Sequence, residues 1–176
     1  NQVFDTFDGT CSTDFGGCSL RDAIADASNG DTITFSDIFL GNVTIVLILG
    51  EVEIDKNLTI DGEIDDDFDT YVRISGNDAS RVFFIPTGVT ATLNELEIVN
   101  GQAATYGSNG GGVYIEDGSI VTIEHCKFED NYTGASGGAV YNDNGILYIR
   151  KHSRFTNNSA NGNGGAIYNA DGTVTV

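Results

Sequence analysis

The last third of the chain sets short apolar runs between Gly, Asn and Asp on a fixed beat. Gly110-Gly111-Gly112-Val113-Tyr114 returns as Gly137-Gly138-Ala139-Val140-Tyr141 and again as Gly164-Gly165-Ala166-Ile167-Tyr168, a step of about 27 residues each time. Gly118, Gly145 and Gly172 keep that step, as do His125 and His152, Phe128 and Phe155, and Asn131 and Asn158. Repetition at a period of about 20–50 residues is the mark of a stacked solenoid. Inside one period, runs such as Ile120-Val121-Thr122-Ile123 alternate, and nothing reads as a helix of about ten residues or more. Three short strands and three turns make one rung of a parallel β-helix, each strand pairing with its counterpart about 4.8 Å away. We therefore expect an all-β fold, a single-stranded parallel β-helix of about 27 residues per rung, right-handed by the rule for parallel crossovers.

In such a stack each column lies on itself. Tyr114, Tyr141 and Tyr168 should form one aromatic ladder and Phe128 with Phe155 another. Asn131 over Asn158 should form an amide ladder that satisfies turn backbone. After Gly118 the apolar pair is Val121 and Ile123, but after Gly145 it is Leu147 and Ile149, an offset of one residue that predicts a bulge. Upstream, Val43 to Leu49 is so apolar that the whole run should be buried. Residues 1–30 differ from the rest. Cys18 to Ser28 predicts a short helix, with Ser19 as its cap, Asp22 three residues on, and Leu20, Ala23, Ile24 and Ala27 on one face. The expected domains are thus an N-terminal cap over 1–30, laid across the first rung, and a parallel β-helix over 31–176. The strand Thr173–Val176 leaves the last rung open, which predicts further rungs of the same chain or another copy of it at that end.

Charge narrows the partners. The formal net charge is -18, and most of the excess acid lies in the first eighty residues. Such a surface repels nucleic acid and anionic membranes. No apolar run is long enough to span a bilayer. No cofactor is indicated beyond calcium, for which Asp61, Glu63, Asp65, Asp66, Asp67 and Asp69 supply hard oxygen ligands. That stretch lacks the EF-hand spacing, and a solvated acidic loop is the competing reading. Cys11 and Cys18 bracket a Gly-rich loop. In an exported protein they predict a local disulfide, the rival being a pair of metal ligands. Cys126 reads as a small buried residue. Asn42, Asn57 and Asn157 open Asn-x-Ser/Thr triplets and are N-glycosylation acceptors if they are exposed. Asn131 opens another but sits in the amide column.

Several of these motifs resemble a known family. Cys18-Ser-Leu-Arg-Asp-Ala-Ile24, Gly30-Asp-Thr-Ile-Thr-Phe35, Leu58-Thr-Ile-Asp-Gly62 and the run Ile74 to Phe83 resemble the N-terminal region of large secreted β-helix proteins that open on a CSLREAI-type cap. The Gly-Gly-Ala-Val/Ile and Phe-x-x-Asn motifs, Phe128 to Asn131 and Phe155 to Asn158, resemble the repeats of polymorphic outer-membrane adhesins of the autotransporter type. The resemblance implies an exported, extracellular or cell-surface protein.

Lys127, Arg150, Lys151 and Arg154, with His125 and His152, are the best catalytic cluster, but the sequence shows no acidic column beside them. An ice- or mineral-binding face would need a repeated Thr column, and Thr90-Ala91-Thr92 and Thr173-Val174-Thr175 stand isolated in the sequence. The expected function is therefore a non-catalytic extracellular structural or adhesive role: a β-helical rod segment of a cell-surface protein or filament. Its partners would be copies of itself, further rungs, or host-surface or matrix glycans. The alternative is a polysaccharide-active lyase or hydrolase working on an acidic glycan.

Overall fold

The computed structural model describes residues 2–4, 18–35, 43–63, 72–103 and 108–176. It is an all-parallel β-solenoid of about five turns with rungs of about 27 residues and one short helix near the N-terminus. Every strand is two to five residues long, and many are followed directly or after a residue or two by Gly, Asn or Asp.

The strands stack into three long faces and one short one. The first face holds Gln2–Phe4, Val43–Val46, Val72–Ser75, Leu96–Val99, Lys127–Glu129 and Arg154–Thr156. The second holds Thr32–Thr34, Leu58–Asp61, Thr90–Asn94, Ile120–Glu124, Ile146–Arg150 and Thr173–Thr175. The third holds Val52–Glu53, Phe83–Ile85, Val113–Ile115, Val140–Asp143 and Ile167–Ala170. Gln102–Ala103, Tyr132–Thr133 and Ser159–Ala160 make the short ladder.

Alternation decides what fills the interior. On the second face Ile60, Leu93, Ile123 and Ile149 stack inward, and on the first Ile45, Ile74, Ile98 and Phe128 do the same. These belong to one continuous apolar core. Burying such side chains is worth roughly 1.5–3 kcal/mol each. At the N-terminal end the helix Leu20–Asp26 turns Leu20 and Ile24 into the same core. Ser19 caps it, its Oγ accepting from the Asp22 backbone N–H at 3.2 Å. Arg21 donates to the Glu51 carbonyl, and Lys56 donates to the carbonyls of Ile24 and Ala25, which ties the helix to the rung below.

Three expectations are corrected here. The helix is shorter than Cys18 to Ser28. The run Val43 to Leu49 is buried only as far as Leu47; its strand ends at Val46, and Ile48 and Leu49 are 52% and 56% exposed as the chain bends outward. The one-residue offset near Gly145 is not a strand bulge. Val121 pairs straight across to Leu147 and Ile123 to Ile149, in unbroken register. The missing residue is lost from the corner before Ile146, and one is regained in the corner after Arg150, so that Lys127 again faces Arg154.

Candidate functional site

The corner where the second face turns into the first gathers the charged groups. Glu95 has positive φ (51°), as do His125 (48°), Lys151 (50°) and His152 (62°) in the same corner one and two rungs on. The turn projects their side chains to one edge. His125 Nδ1 lies 3.6 Å from Glu95 Oε1, and Lys151 Nζ lies 2.9 Å from Glu124 Oε2. Around the corner, Glu97 is nearly buried between Arg73 Nε at 2.7 Å and Lys127 Nζ at 3.2 Å. Burial raises the Glu95 carboxyl above the usual glutamate value; Glu63 and Asp61 push it the same way, and Lys151 draws it back. As expected, no acidic column runs beside the basic cluster: Glu97 has Arg73 and Lys127 as its register partners, and Glu124 has Asn94 and Arg150. Single carboxylates from neighbouring rungs nevertheless meet it. Glu97 lies 24 residues from Arg73 and 30 from Lys127, and Glu95 lies 30 from His125, spacings that a beat of 27 does not align; Glu124 and Lys151 alone keep that beat.

Beside this network the first face opens into a cleft of about 240 Å³. Its floor is Val46, Ser75 and Val99, one column of the sheet, each under 10% exposed. Its walls are Thr44 and Arg73 on one side and Asn77, Asp78 and Asn100 on the other.

The ladder residues lie as follows. Tyr114 stacks on Tyr141 with ring centroids 5.2 Å apart, Tyr141 on Tyr168 at 5.4 Å, and Phe84 extends the column at 5.8 Å. This ladder is half-buried on the outside of the third face. Arg81 lies over Phe84 and Tyr114, and the Tyr114 hydroxyl donates to Asp143. Phe128 and Phe155 stack at 4.8 Å inside the barrel. Asn131 Nδ2 donates to Asn158 Oδ1 and to the Ile98 carbonyl, while its Oδ1 accepts from the Gly101 N–H, each at 2.9 Å.

A second amide ladder escaped the reading of the sequence. Asn142 donates to Asn169 and to the Gly145 carbonyl. Its signal was the Asn after Tyr141 and after Tyr168; Tyr114 is followed by Ile115, where the ladder gives way to the apolar core. A Thr column also escaped: Thr32, Thr59, Thr92 and Thr122 are successive partners on the second face, continued by Tyr148 and Thr175. The triplets Thr90-Ala91-Thr92 and Thr173-Val174-Thr175 are therefore not isolated. Asp61, Asn94, Glu124 and Arg150 form the adjoining column, so the face is charged along one side.

The remaining predicted residues divide by position. Cys11, Asn42, Asp65, Asp66, Asp67 and Asp69 lie outside the described residues, and with them the Cys11–Cys18 pairing. Asp61 accepts from Asn94 Nδ2 and from the Glu63 N–H. Among the described residues no group of three His, Cys, Asp or Glu side chains is placed to hold a metal ion. Asn57 Oδ1 accepts from the Thr90 N–H, so that amide serves the fold; Asn157 is exposed. Cys126 is fully buried, and burial pushes its thiol up to about 12. No helix among the described residues is long and apolar enough to cross a membrane.

The family model of the Chlamydia polymorphic membrane protein repeat matches residues 152–170. That stretch covers Phe155, Asn158 and the last Gly-Gly-Ala-Ile-Tyr, the larger part of one rung. No curated protein and no solved structure matches the chain. The repeat match and the solenoid together describe a β-helix like that of polymorphic membrane proteins.

Proposed function

We propose that this chain is a segment of a non-catalytic extracellular rod at a cell surface, working through its length, its stiffness and the faces it displays, adhesion among them. The observation that carries the reading is the repeat match at 152–170, which lies on a rung in register with the rungs before it. A polymorphic membrane protein repeat points to a non-enzymatic surface or outer-membrane segment. Residues 1–30 are, in this reading, a CSLREAI-type cap closed by a Cys11–Cys18 disulfide. Further rungs or a second copy continue the stack beyond Thr173–Thr175, and host-surface or matrix glycans are the adhesive targets.

The corner carboxylates favour a second reading. Glu95, with its raised carboxyl beside His125, has the character of a general acid for glycan cleavage. One experiment separates the two. Incubated with polygalacturonate, alginate and neutral polysaccharides, the chain is expected to release no new reducing ends and no unsaturated products. A product that vanishes in Glu95→Gln would replace the rod by the enzyme.

A further inference from the structure

We propose that the cleft on the first face binds one pyranose unit of a neutral glycan, with Asp78 and Asn100 as its principal hydrogen-bonding residues. The inference rests on the reading of the chain as an extracellular surface segment, where such sugars are presented.

Most asparagines of this solenoid are spent on the fold. Asn57, Asn94, Asn131, Asn142, Asn158 and Asn169 each use a side-chain amide to hold a neighbouring rung or turn. Asn77, Asp78 and Asn100 differ. Among the described residues their side chains have no hydrogen-bond partner, although their backbones do: the Asp78 N–H donates to the Asn100 carbonyl at 2.9 Å, and the Asn77 N–H to Ser75 Oγ at 3.2 Å. All three have positive φ, at 57°, 51° and 49°. That conformation is costly away from glycine but mild for Asn and Asp. The backbone behind them is fixed by Gly76, where a Cβ would meet Gly101 Cα at 2.8 Å and the Asn100 carbonyl at 2.9 Å. A rim is thus preformed, with two amides and a carboxylate unspent.

The opposite wall is Arg73. Its Nε is taken by Glu97 at 2.7 Å, which fixes the guanidinium plane, and the side chain is still 41% exposed. Planar amides, a carboxylate and an arginine on the walls offer several donors and acceptors to adjacent hydroxyls. The valines of the floor offer an apolar patch to the C–H face of a ring. This mixture of a small apolar floor and a few convergent polar groups is what a hydroxyl-rich small ligand needs.

Charge and size choose within that class. The Asp78 carboxylate opposes a uronate, sialate or phosphate, and Arg73 is already balanced by Glu97. A volume of about 240 Å³ is below the range of drug-sized pockets and suits one sugar ring rather than a helix or strand.

The test is saturation-transfer NMR on the intact chain, with a panel of methyl hexopyranosides, methyl glucuronide and cellobiose as probes. At least one neutral pyranoside is expected to receive saturation. Its affinity should fall about tenfold or more in Asp78→Asn and in Asn100→Asp, a loss of about 1.4 kcal/mol or more, and stay unchanged in Thr122→Ala on the second face. Both rim variants keep residues that tolerate positive φ, so unaltered melting curves are expected and would tie the loss to the cleft. No transfer from any neutral probe, transfer unchanged in both rim variants, or a preference for the glucuronide would each overturn the proposal and leave the rod reading intact. Progressive loss of the cellobiose linkage signal, absent in the rim variants, would support a sugar site here while overturning the non-catalytic reading.

Discussion

A glycine in a solenoid corner can be there for either of two reasons, and stacked columns tell them apart. Gly88, Gly118, Asn144 and Asp171 occupy one corner position in successive rungs, with φ of 78°, 70°, 60° and 63°. That position needs the left-handed conformation, which Asn and Asp also adopt. The next position is Val89, Ser119, Gly145 and Gly172, so a side chain is accommodated in the earlier rungs and excluded in the later ones. At Gly145, where the Asn142 amide packs against the corner, room is the requirement: a Cβ would lie 2.7 Å from Asn142 Oδ1 and 2.9 Å from the Ser119 carbonyl. Gly118→Asn is therefore expected to change unfolding free energy by less than about 0.5 kcal/mol. Gly145→Ala should cost about 2 kcal/mol or more, because the Asn142 amide must give up its buried bonds. Urea unfolding of the two variants checks this, and the reverse order would reinstate a single glycine column. The sequence aligned Gly118 with Gly145 because a constant step cannot see a residue dropped from a corner. The Thr column was hidden likewise: the step from Leu58 to its partner Ala91 far exceeds that from Val72 to Leu96.

At the scale of elements, the columns that repeat in sequence are those whose side chains need one another. Phe128 is wholly buried against Phe155, and Asn131 is buried with donors and acceptors filled. Phe128→Ala is expected to cost about 3–5 kcal/mol in denaturant melts, and a value near zero would show that the ladder bears no weight. These ladders were legible because like residues must lie on like. The end of the strand at Val46 was not. An apolar run records a preference for burial, whereas Ile48 and Leu49 sit where the chain has already left the sheet for the turn to Val52. The charged corner was illegible for a related reason. Glu97 holds Arg73 and Lys127, which lie on its two neighbouring rungs, and no local motif announces such a group.

For the molecule as a whole, the fold was readable because one rule, stacking in register, governs every rung. The cleft and the carboxylate network depend instead on the earlier rungs, where the beat loosens. Net charge acts at this scale too. With a formal charge of -18, the compact chain repels itself. Raising ionic strength from about 0.01 M to about 1 M shortens the screening length from about 30 Å to about 3 Å. The melting temperature is expected to rise over that range in scanning calorimetry. A fall would mean that the cross-rung ion pairs outweigh the general repulsion.

The corners that lose and regain a residue around Ile146–Arg150 leave the pairing of the strands untouched. Length is thus settled locally, at bends, while registry is settled axially, by the rung below. Such a chain can accept insertions or deletions at its edges without reshuffling its interior. Its outer contours are therefore free to diversify from copy to copy around an unchanged spine.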